Sequence, residues 1–264
     1  MDWRAVALAV LVACAGCTAL TGADDPAPAR ETGTVTPAAV PDPADRTYAP
    51  GVTGSGVVSP SALVDAHDRS LANRSYTVVI ERTRTSKEFQ YRHTVTAAVD
   101  GTASRIRVSD SSTTTVDNRT TVLIGTANGT VAFERTNGGP FRRSERTDAE
   151  VPTGGEVLGQ AFRAVRVDTA PQRIGTDSYR LTGDTYRNLT AMTIPGDRLM
   201  GVALDAEIGS SGRFRSLNWR FTVERGRTNV SVVTKMDVRR VGRTTVNTTP
   251  PTVGKGSVGE GERP

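Results

Sequence analysis

Glu88-Phe89-Gln90-Tyr91-Arg92-His93-Thr94-Val95-Thr96-Ala97-Ala98-Val99-Asp100-Gly101 is the stretch that decides the fold. Phe89, Tyr91, His93, Val95, Ala97 and Val99 fall on every second position, with Glu88, Gln90, Arg92, Thr94 and Thr96 between them. Successive strand side chains point to opposite faces, so this pattern is a strand with one buried and one wet face. Asp100-Gly101 is a hairpin turn, and Ile106 and Val108 lie on the returning strand.

The same period recurs on both sides. Tyr76, Val78 and Ile80 alternate with Thr77 and Glu81 upstream. Downstream, Val122-Leu123-Ile124, a turn at Asn128-Gly129, and Val131 with Phe133 form another hairpin. Tyr179 with Leu181 is a short strand, Ala203 to Ile208 a longer one, and Gly209 to Gly212 a turn. Leu217, Trp219, Phe221 and Val223 then alternate with Asn218, Arg220, Thr222 and Glu224, and Val230, Val232 and Met236 mark the last long strand. Residues 185 to 200 carry no clear period.

Two segments have helical spacing. Ser59-Pro60 offers an N-cap and a first-turn proline, followed by Leu63, His67 and Leu71 at intervals of four, with an end near Asn73. After the break at Gly138-Gly139-Pro140, Val157, Leu158, Ala161, Phe162 and Val165 form a second short amphipathic helix. The expected fold is α+β and mainly β: a curved, half-barrel-like antiparallel sheet with two short helices packed on it.

The N-terminus has a different character. Trp3-Arg4 precede an apolar run, Ala5 to Ala13, and then Cys14-Ala15-Gly16-Cys17. A charged start, a short apolar core and small residues before a cut site make a signal peptide. The run of about a dozen apolar residues is shorter than the roughly 20 of a spanning helix. Cys directly after Ala-Gly resembles a lipoprotein signal, in which Cys17 is lipidated and becomes the first mature residue. The address is then extracytoplasmic, with the chain held at the cell membrane by a lipid on Cys17. The Cys14-x-x-Cys17 spacing belongs to this segment. The chain has no third Cys, so a mature protein starting at Cys17 has no internal disulfide.

The expected division is 1–16 signal peptide, 17–57 lipidated Cys and disordered tether, 58–247 a single β-rich domain, and 248–264 a disordered tail. Residues 18 to about 57 are rich in Ala, Pro, Asp, Thr and Gly. Forty such residues would hold the domain roughly 35 Å from the anchor.

Net charge is +5. Residues 18–50 carry two basic and five acidic groups, and residues 51–264 carry 30 basic and 22 acidic. The basic groups are almost all Arg, with Lys only at 87, 235 and 255. No aromatic-interleaved basic motif is present, so no nucleic-acid partner is expected.

Six of the eight Asn begin Asn-x-Ser/Thr triplets: Asn73, Asn118, Asn128, Asn188, Asn229 and Asn247. Roughly two would arise by chance in a chain this rich in Ser and Thr, so the six are candidate glycan acceptors.

The stretch Leu63-Val64-Asp65-Ala66-His67, then Ser75-Tyr76-Thr77-Val78-Val79, then long strands, resembles a group of haloarchaeal predicted lipoproteins of uncharacterised function. The strand layout is similar to that of lipoprotein-carrier and mycobacterial lipoprotein half-barrels. The resemblance covers about 58 to 245 and implies an apolar cavity for a lipid or similar ligand on the concave face.

Catalytic chemistry is sparse. Asp65, His67 and Asp68 lie close in sequence, but His67 falls on the apolar stripe, as a core histidine bonded to a carbonyl would. His93, on an apolar strand face, also reads as core. A metal needs three or four converging ligands, and none is expected here, nor any cofactor. No Gly-x-Ser-x-Gly is present. Gly254-Lys255-Gly256-Ser257-Val258-Gly259 matches a dinucleotide fingerprint only by letters, because no strand precedes it and no helix can follow in the remaining residues. We therefore expect a non-enzymatic surface lipoprotein that binds or shuttles an amphiphile. The alternative is an envelope or protein-interaction lipoprotein without a ligand cavity, its protein partner unknown.

Overall fold

The computed structural model describes residues 42–101, 105–126, 129–144, 152–188 and 198–253. After a 3-10 turn at Pro43–Asp45 come β1 (Thr47–Ala49), β2 (Val52–Thr53), β3 (Gly56–Val57) and helix α1 (Pro60–Leu71). A first meander follows: β4 (Tyr76–Thr85), β5 (Gln90–Asp100), β6 (Arg105–Thr113), β7 (Asn118–Thr126), β8 (Gly129–Thr136) and β9 (Arg142–Ser144). Helix α2 (Gly155–Ala164) leads to β10 (Val165–Arg166), β11 (Gln172–Gly175), β12 (Ser178–Gly183) and β13 (Thr185–Tyr186). The long strands β14 (Arg198–Gly209), β15 (Phe214–Arg225) and β16 (Thr228–Arg239) complete the chain.

Eleven strands form one antiparallel sheet in the order β11-β12-β14-β15-β16-β4-β5-β6-β7-β8-β9. The expected mainly-β sheet with two helices is present. Its edges, β11 and β9, do not pair, and the sheet is neither closed nor strongly curled. The N-terminal and C-terminal meanders meet where β16 pairs with β4, from Ser231↔Thr85 to Arg239↔Thr77.

The alternation seen in the sequence sets which face is buried. Ala206, Leu217, Met236, Ile80 and Val95 are cross-strand neighbours in one row. With Leu204, Trp219, Phe221, Val232 and Val78 they form the face on which the helices lie. Leu63 and Leu71 of α1 and Leu158 and Phe162 of α2 are buried in that same cluster.

Each helix begins as its sequence dictates. Ser59 is the N-cap of α1 and accepts a hydrogen bond from the Ala62 amide at 3.4 Å, with Pro60 in the first turn. Asn73, with φ 58°, turns the chain after α1 in the left-handed conformation that Asn tolerates. Helix α2 has Gly154 at its N-cap, φ 91°, and no side-chain cap. The Asp68 carboxylate of α1 packs there instead. A Cβ on Gly155 would lie 2.7 Å from both of its oxygens. A carboxylate at a helix N-terminus is favoured by the helix dipole.

His67 joins these parts. It is fully buried. The Phe214 amide donates to its Nδ1 at 3.2 Å, so Nδ1 carries no proton. Nε2–H therefore donates to the Thr153 carbonyl at 3.0 Å. One neutral imidazole thus ties α1 to the segment before α2 and to the start of β15. Phe214 also meets the His67 and Phe162 rings, with centroids 5.7 Å and 5.5 Å away.

The ordered domain is longer than the composition suggests at both ends. Ala49, Val52 and Val57 are buried in the main core, although 17–57 is expected to be a tether. The Val57 amide donates to the Val167 carbonyl at 2.8 Å. A few small apolar residues suffice here because β1–β3 pack on an existing core rather than building one. Residues 248–253 are likewise placed. Arg107 Nη1 donates to the carbonyls of Asn247 at 3.2 Å and Thr249 at 2.9 Å. Val253 bridges to Phe141, beside a small second cluster of Val122, Ile124 and Phe133. Among the described residues no helix is long and apolar enough to cross a membrane.

Burial lowers the pKa of His67 below 6.5, with the Thr153 carbonyl and Asp68 acting in the opposite sense. The unfolded chain therefore takes up a proton at a higher pH than the folded one. The stabilisation from neutral His67 is complete above about pH 6.5 and is lost as pH falls towards the lower folded value. Urea denaturation between pH 8 and 5 should show wild-type stability falling below about pH 6.5, by up to about 1.4 kcal/mol per pH unit. His67→Gln should be less stable at pH 7.5 and have a shallower slope over that interval. Equal slopes would show that His67 does not titrate on unfolding.

Candidate functional site

The strand register places a cavity of about 490 Å³ on the helix-bearing face, astride the junction of the two meanders. Three rows of the sheet run through it. Trp219, Thr234, Arg82 and His93 are successive neighbours across β15, β16, β4 and β5. Phe221, Val232, Arg84 and Tyr91 form the next row, and Val223 with Val230 the third. Gln160 of α2 reaches in from the helix layer. The chemistry changes from strand to strand: mostly apolar and aromatic on β15 and β16, apart from Arg225 and Thr234, cationic on β4, aromatic and polar on β5.

Arg82 is half-buried. Its Nε donates to Thr234 Oγ1 and its Nη2 to Gln160 Oε1, both at 3.3 Å. Gln160 is held in turn by its Nε2 donating to Glu156 at 3.1 Å. Burial lowers the affinity of the Arg82 guanidinium for its proton, and Arg84 adds to the effect. Arg84, more exposed, lies over Tyr91 with Cζ 5.9 Å from the ring centroid. Trp219 is 3 % exposed and tilts against Phe221 at 5.3 Å. Its indole Nε1 is buried with no protein acceptor.

Three arginines on the opposite face are paired with carboxylates. Arg92 pairs with Glu81 at 3.3 Å, Arg215 with Glu207 at 3.1 Å and Arg180 with Asp205 at 3.6 Å. No Asp or Glu is among the residues that line the cavity. Among the described residues, no carboxylate forms an ion pair with Arg82 or Arg84.

The histidines divide. His67 is in the core and bonded to a carbonyl, as its place on the apolar stripe implies. His93 is not a core residue. It is half-buried at the cavity margin, with Nε2 2.7 Å from Asp110 Oδ1. The reason lies in the row it joins, because Arg82 and Ser112 are its cross-strand neighbours. Beyond it a smaller polar hollow of about 180 Å³ includes Asp110, Arg119 and Glu134. Asp65 is exposed and Asp68 lies at the start of α2, so neither joins His67 around a common point. No group of three metal-ligating side chains occurs among the described residues.

Cys17, Asn128 and the 254–259 glycine pattern lie outside the described residues. Asn73, Asn118, Asn188, Asn229 and Asn247 are all exposed, and none lines the cavity. The period that puts Tyr76, Val78 and Ile80 on one face also includes Arg82 and Arg84, which share that parity. An arginine at an inward position of a central strand was the available signal.

No protein-family model matches this chain, and no curated protein matches it.

A half-buried guanidinium without a carboxylate partner costs stability that an apolar side chain would not. Arg82→Leu should melt at or above the wild-type temperature, a gain of about 1 kcal/mol or less. Thermal unfolding of the two proteins checks this. A loss of about 2 kcal/mol or more would mean that Arg82 holds the sheet together.

Proposed function

We propose that this chain is a lipid-anchored extracytoplasmic protein that binds a small amphiphile between α2 and strands β15, β16, β4 and β5. The observation that carries the proposal is the cavity of about 490 Å³, with Trp219, Phe221, Val223, Val230 and Val232 as its apolar floor and Arg82 beside them. That volume lies within the roughly 300–1,000 Å³ of small-molecule sites, which combine an apolar lining with a few placed polar groups. The anchor rests on the apolar run and on Ala15-Gly16-Cys17. A lipid on Cys17 would bury its CH₂ groups at about 0.8 kcal/mol each. With this reading go the resemblance to the haloarchaeal predicted lipoproteins and glycans at some of the exposed sequons.

Native mass spectrometry of the whole chain, purified gently from its host envelope, is the test. The expected result is a discrete added mass that organic solvent removes, beyond any covalent lipid or glycan. A protein that never carries such a mass would overturn the reading in favour of an envelope or interaction protein without a ligand.

A further inference from the structure

We infer that the cavity selects amphiphiles with an anionic head, a carboxylate or a phosphate monoester, which Arg82 holds while the apolar body lies on Trp219, Phe221 and Val232. The inference rests on the amphiphile-binding reading and adds the class of ligand.

Three observations point the same way. First, Arg82 and Arg84 occupy positions on β4 that continue the buried parity of Val78 and Ile80. A charge at Arg82 interrupts the sheet's apolar face, a local conflict of the kind expected at functional or strained sites. Second, no carboxylate lines the cavity, although Glu156, bonded to Gln160, lies near enough to favour the charge on Arg82. A guanidinium has five N–H groups, and the bonds to Thr234 and Gln160 occupy one on Nε and one on Nη2 of Arg82. The buried Trp219 Nε1–H has no acceptor among the described residues. Burial and Arg84 disfavour the charge on Arg82, with Glu156 and Tyr91 acting in the opposite sense, and an anion beside it would add to the favourable side. Third, the arrangement separates head from body. Strands are about 4.8 Å apart, so β4 is roughly 10 Å from β15. Two of the cavity's arginines are on β4 and the third, Arg225, is at the end of β15, while the apolar surface is on β15 and β16. A free inorganic anion would leave that floor unused, and a cationic head would meet Arg82 and Arg84.

The test uses the full chain carrying Cys17→Ser, so that no acyl group is attached. It is titrated by calorimetry below micelle-forming concentrations with decanoate, decyl phosphate, decanol, decyltrimethylammonium and inorganic phosphate. The two anionic amphiphiles should bind at least about tenfold more tightly than decanol, and decyltrimethylammonium most weakly. Arg82→Gln should reduce both anions to the decanol value, and Trp219→Phe should weaken them several-fold. Arg220→Gln, on the opposite face, should leave the selectivity intact. Decanoate against decyl phosphate tells which acid the site prefers. If Arg82→Gln fails to fold, Arg84→Gln and Trp219→Phe carry the comparison.

Equal binding of decanol and the anions would overturn the head-group inference and leave the amphiphile reading standing. Binding of none of the chains would overturn both. Inorganic phosphate binding as tightly as decyl phosphate would show a plain anion site and overturn the amphiphilic one.

Discussion

Nine residues of β16, Ser231 to Arg239, pair with nine of β4, Thr85 to Thr77, and bring the two ends of the domain together. Every other neighbour in the large sheet belongs to the same meander. Without this seam each meander would expose an edge strand and half of an apolar face, an arrangement prone to aggregation. Both helices lie over a face that exists only when the halves are joined, because Met236 and Val78 belong to different meanders. Closing so long a loop costs entropy before contacts repay it, so a sheet of this kind forms slowly.

His67 fixes what lies above the seam. A buried polar group is tolerable when each of its atoms is satisfied. Here both ring nitrogens are bonded to backbone, at Thr153 and Phe214. Because one partner is an N–H and the other a carbonyl, only one neutral tautomer fits. The helix layer therefore sits at one height and rotation on the sheet. Gln160 of α2 is thereby set where Arg82 Nη2 can donate to it. The core tie and the cavity are linked through that helix.

The cavity is where the molecule departs from its own rules. On the outward face Arg92, Arg215 and Arg180 pair with carboxylates, as solvent-facing cross-strand groups often do. Arg82 faces the other way, half-buried, bonded only to neutral oxygens of Thr234 and Gln160. Local conflict of this sort, in an otherwise consistent strand, is characteristic of a binding site.

The period of two in residues 76–99 and 217–236, the turn at Asp100-Gly101 and the cap at Ser59 are local signals, so strands, hairpins and α1 were legible from residues alone. The parity that buries Trp219 and Met236 was legible for the same reason. Two things were not. The core role of Ala49, Val52 and Val57 depends on a surface made by distant residues. His93 shares the parity of Val95 and Ala97, yet its cross-strand neighbours are Arg82 and Ser112, so its row is polar. Side-chain alternation assigns a face, but only pairing between strands assigns the neighbours on it. The sequence by itself determined the elements and their buried sides, because those follow from backbone geometry over a few residues. Only the tertiary structure decided that β16 meets β4, and so that the apolar rows of one meander end against the arginines of the other.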